Sequence, residues 1–212
     1  MGVIKLFLVS LIIFSTPLRK SPIKVACVGD SVTEGNLEAT YPNFLQGLLG
    51  NKYLVRNFGA GGRAIIKKAD FPYWGMPQFT ESKEFSPNIV IINFGLNDTK
   101  PQNWQYGADF KKDYIALIRT FRTLKSHPKV FIVIPTPLVL EERFGLTQFV
   151  LENEIIPQIK QISKLKHVPL INLHIIFEDK PELQPDYIHP NVEGMSLIAR
   201  KVYRSIIKIK DF

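Results

Sequence analysis

The chain has 212 residues, a length that suits one domain with a complete hydrophobic core. Hydrophobic residues make up 45% of it and charged residues 22%, as is ordinary for a globular protein. The formal net charge is +8, but the basic residues are spread along the chain in runs of no more than two, which argues against nucleic-acid binding. Cys27 is the single cysteine, so no internal disulfide forms, and we expect it to be a small core residue.

In the first 20 residues, basic, apolar and small polar residues follow one another as in a secretion signal. A largely apolar run, residues 6–14, follows Lys5 and precedes the short sequence STP. The run has the length of a signal-peptide core and is too short for a comfortable membrane span. We therefore expect a secreted or periplasmic protein, with any membrane association confined to residues 1–20 and one folded domain in residues 21–212. An uncleaved anchor is one alternative, because no clear cleavage motif follows, and a misassigned start ahead of a cytoplasmic protein is another.

Apolar runs and helix-spaced apolar residues alternate along the rest of the chain. In chain order they predict strand Val25–Val28, helix Tyr41–Leu49, strand Tyr53–Asn57, strand Asn88–Phe94, helix Phe110–Leu124, strand Val130–Ile134, helix Leu146–Leu165, strand Pro169–Leu173 and helix Val192–Ile207. Gly50 is a stop signal for the first helix, and Pro157 is expected to interrupt the long one.

Strands that alternate with helices favour a parallel sheet that is covered on both faces. We therefore predict an α/β fold, a three-layer α/β/α sandwich around a five-stranded parallel sheet of flavodoxin-like strand order 2-1-3-4-5. In that order the carboxyl ends of strands 1 and 3 flank the point where the winding reverses. Ligands bind at this point in open α/β sheets.

Four short motifs fall at the ends of predicted strands or in a late loop. VGDSVTEG at residues 28–35 follows strand 1, NFGAGG at residues 57–62 follows strand 2, and GLND at residues 95–98 follows strand 3. DYIHP at residues 186–190 precedes the last helix. Because parallel strands end at one edge of the sheet, we expect the motifs to form a single site.

Ser31, His189 and Asp186 have the chemistry of a nucleophile, its base and an orienting carboxylate. A serine hydroxyl is a weak nucleophile until an adjacent base takes its proton, and histidine titrates near neutrality. Asp186, three residues before His189, can bond the far ring nitrogen and so fix the tautomer. The alternative is that Asp30 or Ser31 is simply the N-cap of a strand-to-helix turn.

Three groups are candidates for holding the oxyanion of a tetrahedral intermediate. Gly62 permits close backbone approach, so its N–H can be one donor. Asn97 offers a neutral amide N–H, and the backbone N–H of Ser31 is the third candidate. The four motifs together therefore predict acyl-transfer chemistry.

The segments GDSVTEG, NFGAGG, GLND and DYIHP, in this order, resemble the signature blocks of the SGNH (GDSL-like) hydrolase superfamily. The resemblance spans about residues 23–207. It implies a hydrolase that needs no metal and no cofactor. The catalytic residues that it implies are Ser31, Asp186, His189, Gly62 and Asn97.

Two longer segments point to one group within this superfamily. YPNFLQGLLGNKYLVRNFGAGG and DFPYWGMPQF are similar to bacterial esterases that deacetylate carbohydrates, the sialate O-acetylesterase-like group. This implies a serine esterase that hydrolyses short-chain, chiefly acetyl, esters on sugars. The superfamily also contains lipases, thioesterases and lysophospholipases, so an enzyme for lipid or acyl-thioester substrates is the alternative.

Four residues in the loops that hold the motifs are predicted to contact the substrate, namely Arg63, Trp74, Trp104 and Tyr187. Arg63, Lys67 and Lys68 are suited to binding an anionic sugar. An equally good interpretation is that these three are ordinary exposed basic residues. Packing around loops is the competing interpretation for the aromatic residues.

Two other functions compete with an esterase. Residues 59–64, GAGGRA, fit the dinucleotide fingerprint G-x-G-x-x-G/A, but they follow the second strand and soon run into Pro72 and Gly75 instead of opening a helix. A carbohydrate-binding module without catalysis would use Tyr73 and the two tryptophans as stacking faces. The complete and correctly ordered catalytic set argues against a pure binder.

Overall fold

A computed structural model of the chain describes residues 21–36, 39–140 and 142–208. The expected signal peptide or anchor, residues 1–20, lies outside these ranges and stays a prediction. Within the described ranges, no helix is both long enough and apolar enough to cross a bilayer.

Strands and helices alternate through the first two thirds of the chain. They are β1 (Ile23–Gly29), α1 (Ser31–Glu34), α2 (Tyr41–Leu49), β2 (Tyr53–Gly59), α3 (Pro77–Glu84), β3 (Ile89–Asn93), α4 (Pro101–Trp104), α5 (Phe110–Arg122) and β4 (Lys129–Ile134). The remainder contains β5 (Glu142–Arg143), β6 (Leu146–Thr147), α6 (Gln148–Val150), α7 (Ile156–Lys166), β7 (Leu170–Asn172), α8 (His174–Phe177) and α9 (Val192–Ile206).

The main sheet has five parallel strands in the order β2-β1-β3-β4-β7, which confirms the predicted flavodoxin-like order. β3 is buried along its whole length, as expected of a central strand covered on both faces. In the register of the sheet, Gly29 of β1 pairs with Gly59 of β2 on one side and with Asn93 of β3 on the other. Three of the four motifs therefore begin at the same edge of the sheet.

The helices form two groups that flank the sheet. α2 packs against α9, whereas α5 packs against α7 and both of these contact β4. The apolar residues of both groups join the strands in one continuous core. Cys27 lies fully buried in β1, as expected, and this burial raises the pKa of its thiol to about 12.

The predicted helix Leu146–Leu165 is wrong at its start. A two-stranded hairpin, β5 and β6, stands there instead, and the helix begins only at Gln148. The hairpin turns at Phe144 and Gly145, whose φ angles are 53° and 74°, as a two-residue type I′ turn requires. Before Pro157 the helix widens into a π-helical segment, Leu151–Ile155, because a proline has no N–H for a regular helical bond.

Candidate active site

Ser31 is the first residue of α1, directly beyond the end of β1. The turn needs a glycine at Gly29, since a Cβ there would lie 2.6 Å from the carbonyl oxygen of Asn93. The Asp30 side chain accepts the N–H of Val32 at 3.1 Å, so Asp30 is the N-cap that the sequence offered as an alternative. The Ser31 hydroxyl thereby faces the loop of residues 186–190, which carries His189.

The side chains of Ser31, His189 and Asp186 form one hydrogen-bonded chain. Ser31 Oγ lies 2.9 Å from His189 Nε2, and His189 Nδ1 lies 2.6 Å from Asp186 Oδ2. A carboxylate can only accept, so Nδ1 carries the proton and Nε2 is free to accept the Ser31 hydroxyl proton.

Asp186 is held ionised by its own loop. Its Oδ1 accepts the backbone N–H groups of Ile188 at 3.0 Å and His189 at 2.7 Å. Desolvation by burial acts to raise the pKa of Asp186, but the hydrogen bonds from His189 and from these two N–H groups outweigh it and lower the pKa below its ordinary value. The carboxylate therefore stays charged beside the imidazole.

Asn97 is presented by the turn that follows β3. The residue is 7% exposed, and its backbone carbonyl accepts the amide of Asn103 at 2.8 Å. The hydroxyl of Thr99 donates to the carbonyl of Leu96 at 2.7 Å, which closes the same turn. Gly95 has a φ of 136° and packs against Ile155 of the π-helical segment, so the turn is anchored at both ends.

Gly62 lies in the loop after β2. Its φ is 72°, a conformation that favours glycine, and nothing lies within 4 Å of the position that a Cβ would occupy. The neighbouring Gly61 is different, because a Cβ there would lie 2.5 Å from the carboxylate of Glu34. Gly62 is therefore the glycine that borders open space next to Ser31.

A cavity of about 330 Å³ unites these groups. It is lined by Ser31, Gly62, Leu96, Asn97, Lys100, Phe144, Leu146, Ile188 and His189. Most of the wall is apolar surface, and the polar side chains in the lining are those of Ser31, Asn97, Lys100 and His189. Asp186 stands behind His189 and supports it from outside the cavity.

The four predicted substrate-contacting residues are absent from the described lining of this cavity. Trp74 donates its indole N–H to the carbonyl of Ile65, and Trp104 donates to Glu154. The Arg63 guanidinium lies 5.2 Å from the centre of the Phe71 ring. Tyr187 stands in the late loop itself, where its carbonyl accepts the N–H of Val139. Contact of these four with a bound substrate stays a prediction.

The sequence did not predict the apolar wall of the cavity, nor Lys100, which also lines it. Phe144 and Leu146 belong to the hairpin, which was not predicted: its second strand falls at the start of a predicted helix, and its first strand and turn lie just before that helix. The pair Phe144-Gly145 was the available signal, since Gly is the preferred second residue of a type I′ turn. Lys100 directly follows the GLND motif and precedes Pro101. The described residues contain no cluster of His, Cys, Asp or Glu arranged to hold a metal ion.

Two further buried carboxyls, Asp30 and Asp98, lie behind the site. Both are almost completely inaccessible to solvent, and neither makes an ion pair within the described part of the chain. Burial raises the pKa of each to about 7, although backbone N–H groups that donate to them act in the opposite direction. The sequence offered Asp30 as an N-cap, whereas the motifs predicted no role for Asp98.

Comparison with known proteins adds two sequence findings. The GDSL-like Lipase/Acylhydrolase family matches residues 27–197. An acetylxylan esterase of Xylanibacter ruminicola is 31% identical over 211 residues, covering 89% of this chain. The chain spans only 44% of the length of that relative.

Solved structures share the fold. An acetyl xylan esterase, AlAXEase, superposes with a TM-score of 0.64 at 24% identity and covers 87% of this chain and 100% of its own. A carbohydrate acetylesterase from Sinorhizobium meliloti has a TM-score of 0.68 at 19% identity and covers 87% of this chain and 98% of its own. At these identities the likeness concerns the fold alone.

Proposed function

Because the chain belongs to the GDSL-like lipase/acylhydrolase family, we propose that it is a serine esterase whose nucleophile is Ser31. The observation that carries the proposal is the chain of contacts from Ser31 through His189 to Asp186, at 2.9 Å and 2.6 Å. Hydrogen-bond reach between nucleophile, base and orienting group is the geometric signature of covalent acyl transfer.

In the proposed mechanism, His189 Nε2 takes the proton of the Ser31 hydroxyl while Oγ attacks the ester carbonyl carbon. The resulting oxyanion is held by the N–H groups of Gly62 and Ser31 and by the amide of Asn97. The bond to the leaving alcohol then breaks, and the alcohol takes its proton from His189. Water attacks the acyl-enzyme with His189 again as base, which releases the acid and restores Ser31.

We propose an acetyl ester on a carbohydrate as the substrate. The names of the relatives support this substrate, since they include an acetylxylan esterase and a carbohydrate acetylesterase. One observation favours a second candidate, an ester or thioester of a longer acyl chain. The cavity of about 330 Å³ has walls from Leu96, Phe144, Leu146 and Ile188, which is more apolar surface than one acetyl group would cover.

Hydrolysis of 4-nitrophenyl acetate, butyrate and octanoate tests both candidates. We expect the wild-type protein to turn over acetate fastest and Ser31→Ala to lose at least about 10³-fold in kcat, because no other group replaces the nucleophile. A preference for octanoate would keep the mechanism and move the substrate to lipids or acyl thioesters. Equal turnover by wild type and Ser31→Ala on every ester would overturn the proposal.

Export remains part of the proposal. It is supported by the signal-like order of residues 1–20, in which a basic residue precedes an apolar run. An enzyme that acts on polymeric sugars would meet its substrate outside the cytoplasm, which is consistent with that segment.

A further inference from the structure

The loop that carries Gly62 is tied down on both sides of that glycine. Before it, the N–H of Ala60 donates to the carbonyl of Gly29 at 2.9 Å. After it, the N–H of Ala64 donates to the carbonyl of Phe71 at 3.1 Å. Gly62 itself has an open Cβ position, so no side-chain packing holds it directly. The direction of its N–H therefore depends on the neighbours that anchor the loop.

Asp98 is the acceptor that anchors the loop on the far side. Its carboxyl accepts the N–H of Ile65 at 3.0 Å and 3.1 Å through its two oxygens, and the N–H of Ile66 at 2.9 Å. Asp98 is 0% exposed. Buried N–H groups without an acceptor are strongly destabilising, so this contact disfavours other positions of the loop.

Asp98 also belongs to the turn that presents the other oxyanion donor. It directly follows Asn97 in a single 3₁₀ turn, Asn97–Thr99. Asn103 donates its amide to the carbonyl of Asn97 and accepts the N–H of Asp70 at 2.9 Å, so it joins the turn to a more distant part of the same loop. The Asp98 carboxyl is thus a direct link between the turn with the Asn97 amide and the loop with the Gly62 N–H.

We propose that Asp98 is a positioning residue that sets the separation of the two oxyanion donors, Gly62 and Asn97. This inference rests on the proposed esterase function and adds a residue that does not touch the substrate. A carboxyl suits the task because its two oxygens can accept two consecutive N–H groups, which one backbone carbonyl does less well.

The chain offers a matched control in Asp113. Its carboxyl in α5 is also buried and accepts the N–H of Lys67 at 2.9 Å, in the same loop but further from Gly62. Removing either carboxyl therefore loosens the loop. Of the two carboxyls, only Asp98 belongs to the turn that carries Asn97, so only its removal breaks the direct contact between that turn and the N–H groups of Ile65 and Ile66.

The test measures kcat, KM and the thermal midpoint of the full chain for Asp98→Ala, Asp98→Asn and Asp113→Ala with 4-nitrophenyl acetate. We expect kcat of Asp98→Ala to fall about 10- to 100-fold, because displaced donors stabilise the transition state less well. KM should stay within about threefold, because the donors act on the transition state and not on the bound substrate. Asp98→Asn keeps one acceptor oxygen, so its kcat should fall about 3- to 10-fold. Asp113→Ala should keep kcat within about threefold even if its midpoint drops.

The outcomes separate the inference from the proposed function. Equal losses of kcat in Asp98→Ala and Asp113→Ala, or no loss in either, would overturn the positioning role while Ser31-dependent hydrolysis stands. If Asp98→Ala does not fold, Asp98→Asn decides, and an unchanged kcat in that variant refutes the inference. Esterase activity that survives in Ser31→Ala would instead refute the proposed function, whatever Asp98 does.

Discussion

Asn97 shows how much of the proposed catalysis depends on one uncharged side chain. The amide is a donor that cannot lose its proton near neutral pH, unlike a histidine or a lysine. Its turn is held by Thr99 and Asn103, so the donor is in place before the substrate arrives. Such preorganisation is what makes an oxyanion donor effective.

Replacing this donor gives the sharpest prediction at the residue scale. Asn97→Ala should lower kcat by about 10²–10³-fold with little change in KM, the usual cost of one oxyanion donor. Steady-state kinetics on 4-nitrophenyl acetate measures it, and a thermal melt controls for folding. A kcat within about threefold of wild type would remove Asn97 from the proposed mechanism.

Residue roles that follow from chemistry were readable in the sequence, whereas roles that follow from contact were not. Ser31, His189 and Asp186 were selected by residue type and motif, and the structure brings their side chains within hydrogen-bond reach. No motif distinguished Asp98 from an ordinary loop carboxylate, because its partners at Ile65 and Ile66 are 33 and 32 residues away.

At the scale of elements, the strand ends set the site. Gly29 of β1 is flanked by Gly59 of β2, and no side chain can be inserted between these strands and α1. A Cβ at Gly59 would lie 2.1 Å from the backbone nitrogen of Glu34. Two glycines at adjacent strand ends thus allow α1 to pack close to β2 and present Ser31.

Gly59→Ala should therefore destabilise the protein by at least about 1–3 kcal/mol, because the clash is with backbone and cannot be relieved by a rotamer change. Gly47→Ala is the matched control. Gly47 lies inside α2 with nothing within 4 Å of its Cβ position. Alanine there should stabilise by about 0.5–1 kcal/mol.

Urea unfolding followed by circular dichroism would measure both glycine variants. A Gly59→Ala protein as stable as wild type would mean that α1 can move away from β2. It would then contradict the close packing on which the placement of Ser31 depends.

The hairpin β5–β6 is the element that most changes the description of the substrate site. Phe144 at its tip is 66% exposed, whereas Leu146 at its base is buried, and both line the cavity. The apolar pattern after residue 146 suits a helix as well as a short strand. Only the two positive φ angles of the turn, which depend on β5 pairing with β6, separate the two.

At the scale of the whole molecule, the buried carboxyls of Asp30 and Asp98 should make stability depend on pH. Burial raises the pKa of Asp30 and of Asp98 from 3.8 to about 7. Between these values the folded protein binds more protons than the unfolded chain, so its free energy of unfolding falls as the pH rises through this window. Each group contributes a slope of up to about 1.4 kcal/mol per pH unit.

We therefore expect unfolding in urea to need less denaturant at about pH 8 than at about pH 5, and Asp98→Asn to show a flatter dependence, since one of the two groups is gone. Below about pH 4 the trend should reverse. There Asp186, whose pKa is lowered in the folded state, loses its stabilising contribution on protonation. Identical slopes for wild type and Asp98→Asn between about pH 5 and 8 would contradict the assignment.

The sequence by itself determined the fold class, the strand order and the residue types that the four motifs place around the end of the sheet. These depend on local patterns, namely the period of apolar residues and the residue types at strand ends. The tertiary structure alone decided which walls surround Ser31 and what holds Gly62 in place. The reason is that those contacts join residues far apart in the chain, such as the hairpin at Phe144 or the pair of Asp98 and Ile65, and a local pattern carries no signal for distant packing.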